Sequence, residues 1–186
     1  MYKICHTAQS VQRQRKMEQA LLQLMLRKRY EDISISDLCN FIQIPRRAFY
    51  RYFSGKDGAL YALIDHTMSD FFEDSPEKLQ KRGAARGELE QTFAFWKDKK
   101  ALLDALDHSG LSGLLVARAT EFTLRERYMP RNFRQLMPEL QEMAMSFSVY
   151  GLMSMILRWH KQGFLLSPSE MSKLAISLLT TPLLPE

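Results

Sequence analysis

The chain has only two cysteines among 186 residues, Cys5 and Cys39. Two thiols cannot build a disulfide framework, and free thiols fit a reducing compartment. Cys39 falls mid-helix and reads as a small buried hydrophobe, whereas Cys5 lies in an N-terminal arm expected to be mobile. The four histidines, His6, His66, His108 and His160, are scattered, and no pair has the i, i+4 spacing of a helical metal site. His66 beside Asp65 reads as a polar surface pair. No phosphate-cradling loop is present, because Gly110-Leu111-Ser112-Gly113 has neither a strand before it nor a lysine after it. No serine stands in a nucleophile elbow, and Cys39 has no base nearby in sequence. Together these absences argue against an enzyme and against any cofactor or metal.

Long apolar runs are also missing. The longest uncharged stretch, Met143–Leu157, is fifteen residues with three serines, too short to span a hydrocarbon core of about 30 Å. The opening MYKICHTAQS has no apolar core of a signal peptide. A cytoplasmic protein without a membrane segment is expected. No period of 20–50 residues repeats and no alternating strand pattern occurs, so the fold class reads as all-α, with about nine helices. Eight glycines and seven prolines give no sign of disorder.

Positive charge is present but unevenly placed. Residues 1–66 hold eleven Lys/Arg and six Asp/Glu, a net of +5, whereas residues 67–186 hold fifteen of each. All the excess sits in the first third, as in a nucleic-acid-binding head on a neutral body.

Within that third, SISDLCNFIQIPRRAFYRYFSGK at 34–56 reads as a helix-turn-helix. Ser34 and Asp37 make a capping box, and Leu38, Phe41 and Ile42 follow as an apolar stripe at helical spacing. Pro45 suits a helix start. The next helix, predicted over 45–52, presents Arg46, Arg47, Tyr50, Arg51 and Tyr52 and leaves Ala48 and Phe49 to pack inward. Arginine forks match guanine edges and phosphates, and tyrosine hydroxyls reach phosphate oxygens. Ser54 and Asp57 spell a second capping box. Lys56 in that first turn runs against the helix dipole unless a phosphate sits between it and the free amides. A phosphate-binding lysine loses about one unit of salt slope when replaced by alanine.

The run Tyr50-Arg51-Tyr52-Phe53-Ser54-Gly55-Lys56 resembles the Tyr-x-His/Tyr-Phe-x-x-Lys signature of the TetR/AcrR family of transcriptional regulators. Ser34 stands where that family has a threonine, and Leu38 and Ile44 match its apolar positions. The resemblance covers about residues 13–66. It implies a three-helix DNA-binding domain over 1–54 and an effector-binding and dimerisation domain over 55–186. Two positions depart: Gln43 replaces the glycine between helices, and Pro45 replaces a serine. Forcing Gln43 into a left-handed conformation costs roughly 1 kcal/mol, so a somewhat different turn is expected.

Outside the motif, the first helix is predicted over 10–28, with Met17, Ala20, Leu21, Leu24 and Met25 inward. Arg13, Arg15 and Lys16 near its start are either phosphate contacts or a solvated face. Tyr30 and Ile33 are expected to close it onto the next helix. A fourth helix at 55–73 places Ala59, Leu60, Leu63, Ile64, Met68 and Phe71 on its inner side. Residues 73–87, with Pro76, Gly83 and Gly87, read as a helix end and loop. Further helices are expected at 86–97, 99–108, 111–127 (ending before Pro130) and 138–161, the last stopped by Gly163. A final helix opens with Ser167-Pro168-Ser169-Glu170 and ends before Pro182.

The helix carrying Met143–Leu157 is uncharged around most of its circumference, so it needs a second surface beyond its own domain. The resemblance implies a C-terminal two-helix dimerisation unit, with Phe147, Tyr150, Gly151, Ser154, Met155, Arg158, Met171, Leu174 and Leu178 at the interface. Tyr150-Gly151, Arg158-Trp159, Gly163 and Ser167-Pro168 are similar to one C-terminal subtype of the family. The family also implies a central effector pocket, for which Phe93, Trp96, Leu103, His108, Phe122 and Tyr128 are candidates. Phe95, Leu106, Leu115 and Met137 add to the apolar surface. Taken singly, each of these is better explained as plain core than as a ligand contact, and the lack of a charged cluster points to an apolar or weakly polar effector. The combined expectation is a homodimeric repressor of a palindromic double-stranded DNA operator. One rival is a regulatory protein-interaction subunit of the same fold that no longer reads DNA; another is a DNA-binding regulator whose body senses no ligand and docks a protein partner.

Overall fold

The computed structural model describes residues 1–73, 85–125 and 134–180. Among them are nine α-helices and no strand. Helix α1 (Ala8–Met25) starts two residues earlier than its apolar pattern suggests, because the Thr7 hydroxyl accepts the Ser10 amide at 3.3 Å. Its inner residues Met17, Ala20, Leu21, Leu24 and Met25 are all buried. A single 3₁₀ turn, Tyr30–Asp32, follows and delivers Ile33 into the core. Next come α2 (Ile35–Phe41), α3 (Arg46–Phe49) and α4 (Lys56–Glu73). The remaining helices are α5 (Ala85–Asp98), α6 (Lys100–His108), α7 (Ser112–Arg125), α8 (Pro138–Lys161) and α9 (Pro168–Thr180). The fold class and helix order match the sequence reading. Pro76, Gly83, Tyr128, Pro130 and Pro182 lie outside the described residues.

The chain forms two compact units. One comprises Met1–Met68 and Ala101–Phe122; the other comprises Ser69–Lys100 and Thr123–Glu186. In the first, apolar residues of α1, α2 and α4 join Phe49, Phe53, Leu102, Leu103, Leu106 and Leu115 in the core. Two carboxylates are buried with them, and each is paired as burial demands. Asp65 takes two hydrogen bonds from Arg118 and one from the Tyr2 hydroxyl. Glu18, fully buried, meets His66 Nδ1 at 2.9 Å from both oxygens. His66 is therefore not the surface partner of its neighbour Asp65; the helix turns the two side chains toward different elements.

The N-terminal arm is also held. Lys3 N donates to Tyr52 O at 2.8 Å, Ser54 N donates to Met1 O at 3.1 Å, and Gln14 Nε2 donates to Lys3 O at 3.1 Å. Gly58 permits this approach, since a Cβ there would run into the Met1 carbonyl. The arm also displaces the second expected capping box. The Ser54 amide and hydroxyl both donate to Met1 O, and the Asp57 carboxylate accepts the Tyr30 hydroxyl instead.

In the second unit, α5 and α9 pack against each other. Phe93, Trp96 and Trp159 fill the core, with Phe93 and Trp159 edge to face at 5.7 Å. Helix α8 ends through Gly163 at φ +70°, the left-handed position after a helix cap, and the next residue, Phe164, is also left-handed and meets Trp159 edge to face at 4.7 Å. The box opening α9 forms as expected: Ser167 N donates to Glu170 Oε2 and Glu170 N to Ser167 Oγ.

Candidate nucleic-acid interface

The geometry begins with the cap of α2. Ser34 Oγ accepts Asp37 N at 3.0 Å, and Ser34 N donates to Asp37 Oδ2 at 2.8 Å. Lys28 Nζ adds an ion pair at 2.9 Å. The Ser34 backbone bond, then Lys28 and the Ser34 hydroxyl, hold the Asp37 carboxyl down at about 2. This cap fixes where α2 starts, and Leu38 and Cys39 bury its inner side.

The turn from α2 to α3 runs through Gln43 at φ +55°. From the sequence, a different turn that avoids this conformation is expected. The structure keeps the left-handed turn and places a non-glycine residue in it, because Ile44 N closes onto Cys39 O at 2.9 Å. Pro45 is the N-cap of α3, outside the helix proper, with its carbonyl accepting Ala48 N at 2.8 Å. The regular helix is shorter than predicted. It ends at Phe49, and residues 50–53 continue as turns closed by Tyr52 N and Phe53 N on Phe49 O.

Phe49 anchors this short helix: it is fully buried and packs against Phe53 at 5.1 Å. Ala48 is half-buried. With Phe49 pointing inward, Arg46, Arg47, Tyr50 and Arg51 are all exposed, and Tyr52 is half-buried. Arg46 donates to the Tyr50 hydroxyl at 3.4 Å, one helical turn away. Arg13 and Lys16 on α1 are exposed as well.

Lys56 is placed differently from the other basic candidates. Its ammonium donates to Tyr30 O at 2.6 Å, Ile33 O at 2.6 Å and Glu31 O at 3.3 Å. It also lies 4.3 Å from the centroid of the Tyr30 ring. Burial pulls its pKa below the ordinary lysine range, opposed by Asp57 and Asp32. Burial and the hydrogen bond to Asp57 in turn push the Tyr30 phenol up. Neither Tyr30 nor Asp57 was singled out from the sequence as part of this site. The one available signal was Tyr30 closing the first helix.

No protein-family model matches the chain, and no curated protein matches it by sequence. Solved structures do match its fold. A TetR-family transcriptional regulator from Syntrophomonas wolfei has a TM-score of 0.68 at 17% identity, covering 94% of this chain and 98% of its own. The fatty acid degradation regulator FadR from Bacillus halodurans has a TM-score of 0.57 at 15% identity, over 93% and 97% of the two chains. The TetR-family repressor AlkX from Dietzia gives 0.54 at 18%, over 89% and 94%.

The fold is that of TetR-family transcriptional regulators.

In this TetR fold, the residues assigned by sequence to a dimer interface separate into two groups. Along α8, Phe147 is 70% exposed and Tyr150 52% exposed, and Gly151, Ser154 and Arg158 continue the same exposed stripe. Leu140 and Met143 extend it toward the helix start, with Met143 68% exposed; the sequence reading did not include them. Met155 is half-buried. On α9, Leu174 and Leu178 are exposed, whereas Met171 is buried within its own unit at 4% exposure. The effector candidates also separate. Phe93 and Trp96 belong to the core of the second unit, Leu103 and Phe122 to that of the first, and His108 is exposed. Tyr128 lies outside the described residues. Among those residues, no helix is long and apolar enough to cross a membrane.

Proposed function

We propose that this chain is a non-enzymatic, cytoplasmic transcriptional regulator that binds a palindromic DNA operator as a homodimer and represses. The observation that carries the reading is the short helix α3. It is pinned by the buried Phe49 and presents Arg46, Arg47 and Arg51 outward beside Tyr50. Three exposed guanidinium groups on so short a segment suit base edges and phosphates of one major groove. Ser34 and Tyr52 serve as flanking backbone contacts. Residues 1–54 form the DNA-binding part, and residues 55–186 form the effector-binding and dimerisation part.

The exposed stripe of α8, from Leu140 through Phe147 to Arg158, together with Leu174 and Leu178, supplies the contact with a second copy. A two-fold pair is what the reading requires, because successive major grooves lie about 34–36 Å apart. An apolar or weakly polar effector acts by favouring the DNA-free arrangement. A tenfold release from the operator takes about 1.4 kcal/mol of differential binding.

Replacing Arg46, Arg47 and Arg51 together by alanine tests the reading. The variant should keep its helical spectrum and thermal midpoint yet lose duplex binding. A folded variant that binds duplex as the parent does would rule the reading out.

A further inference from the structure

We propose that Lys56 is a positioning residue for DNA reading and not a phosphate contact: its ammonium ties the Tyr30–Ile33 turn to the start of α4. The inference rests on the operator-binding reading and assigns a different task to one of its residues.

An ammonium has three protons to donate. In Lys56 they meet the carbonyls of Tyr30, Glu31 and Ile33, two of them at 2.6 Å. These carbonyls belong to the 3₁₀ turn and to the residue that follows it. The Tyr30 ring lies under the charge at 4.3 Å, a favourable place for a cation. A phosphate bound by Lys56 would have to draw the ammonium's N–H donors away from the carbonyls that already accept them. The group is thus spent inside the protein.

What it holds decides the aim of α3. Ile33 is followed directly by Ser34, the N-cap of α2, and α2 leads through Gln43 into α3. On the other side, Lys56 is the first residue of α4, and Asp57 beside it accepts the Tyr30 hydroxyl at 2.5 Å. The Tyr30 amide is fixed as well, donating to Ser109 Oγ at 3.0 Å. The turn before α2 is therefore clamped at its carbonyls, its ring, its hydroxyl and its amide. Removing the ammonium takes a donor from three carbonyls, leaving Tyr30 O only its bond from Ile33 N, and loosens the origin of the helix pair, while the arginines remain in place to meet phosphates.

The test compares the parent with Lys56→Met, which keeps the stem and loses the donors, and with Tyr30→Ala, which removes ring and hydroxyl but keeps the lysine charge. Affinity is measured on the selected operator and on a mixed-sequence duplex, each across a salt series, with thermal midpoints recorded. The positioning role predicts that both variants lose about tenfold on the operator, equivalent to about 1.4 kcal/mol, with little change on mixed sequence and an unaltered salt slope. A Lys56→Met variant that weakens on both duplexes with a slope lower by about one identifies a phosphate contact and overturns the role. A lower midpoint with unchanged operator preference makes Lys56 merely structural and also overturns it. Should Lys56→Met not fold, Tyr30→Ala decides: loss of operator preference supports the role, and retained preference overturns it. A parent protein with no preferred sequence instead overturns the operator reading itself, and this role with it.

Discussion

Arg118 Nε donates to Asp65 Oδ1 at 2.8 Å, and the same carboxylate accepts the Tyr2 hydroxyl at 2.7 Å. Three segments far apart in sequence, the N-terminal arm, α4 and α7, thus meet at one carboxylate that is 2% exposed. Arg118 also stacks over Tyr61 at 4.7 Å. Removing one partner of a buried pair leaves an uncompensated charge, which costs about 3–5 kcal/mol. Arg118→Ala should fall near the lower end, about 3 kcal/mol, since the Tyr2 bond remains. Tyr2→Phe should cost only about 1 kcal/mol. Urea unfolding of the two variants checks the ranking, and equal losses would contradict it.

Gln43 provides a gain in stability. A side chain at φ +55° costs about 1 kcal/mol or more relative to glycine, and glycine returns part of that through its freer unfolded chain. Gln43→Gly should therefore stabilise the protein by about 0.5 kcal/mol without altering the turn. Thermal unfolding measures it, and a loss of stability would mean that the Gln43 side chain contributes contacts beyond its backbone.

Acid should weaken the start of α2 in a defined window. The Asp37 carboxyl is held at about 2, below its ordinary value of 3.8, chiefly by the Ser34 backbone bond and by Lys28. Its folded-state pKa is depressed, so its contribution is fully present above about 4 and is lost as pH falls toward 2. Asp37→Asn should remove that part of the pH dependence and leave the profile above pH 5 parallel to the parent. An unchanged acid limb in the variant would contradict the cap geometry. Ser34→Ala should cost about 1 kcal/mol at neutral pH.

The exposed stripe of α8 is tested by charge. Phe147→Glu or Tyr150→Glu places a carboxylate where the proposed partner helix packs, and desolvating it should split the dimer. Sedimentation should show monomers at micromolar concentration for the variants and dimers for the parent. Met171→Ala is the control: Met171 is buried in its own unit, so it should lower stability by about 2–5 kcal/mol and change association little.

Much of this architecture was legible in the sequence because it is local. Helix periodicity in α1, the box at Ser34 and Asp37, and the box at Ser167 and Glu170 depend on residues three or four apart. The features that were misread depend on distant partners. Ser54 and Asp57 have the spacing of a cap, but Met1 and Tyr30 claim their polar groups. His66 stands next to Asp65 in sequence, yet it pairs with Glu18 on α1. For Lys56 the sequence offers a phosphate contact or a solvated lysine, and it cannot show the three carbonyls, from residues more than twenty positions earlier, that surround the ammonium. Gln43 shows the converse, a local strain that the hydrogen bond from Ile44 to Cys39 holds in place.

The central claim is that α3 reads a DNA sequence as one of a two-fold pair. Selection of bound duplexes from a random pool, carried out at two salt concentrations, addresses it most directly. The account predicts enrichment of an inverted repeat whose half-sites lie about 10–10.5 base pairs apart, or a multiple of that, with the preference surviving the higher salt. Binding without a consensus that disappears as salt rises would contradict it and leave the arginines of α3 as an unspecific basic surface.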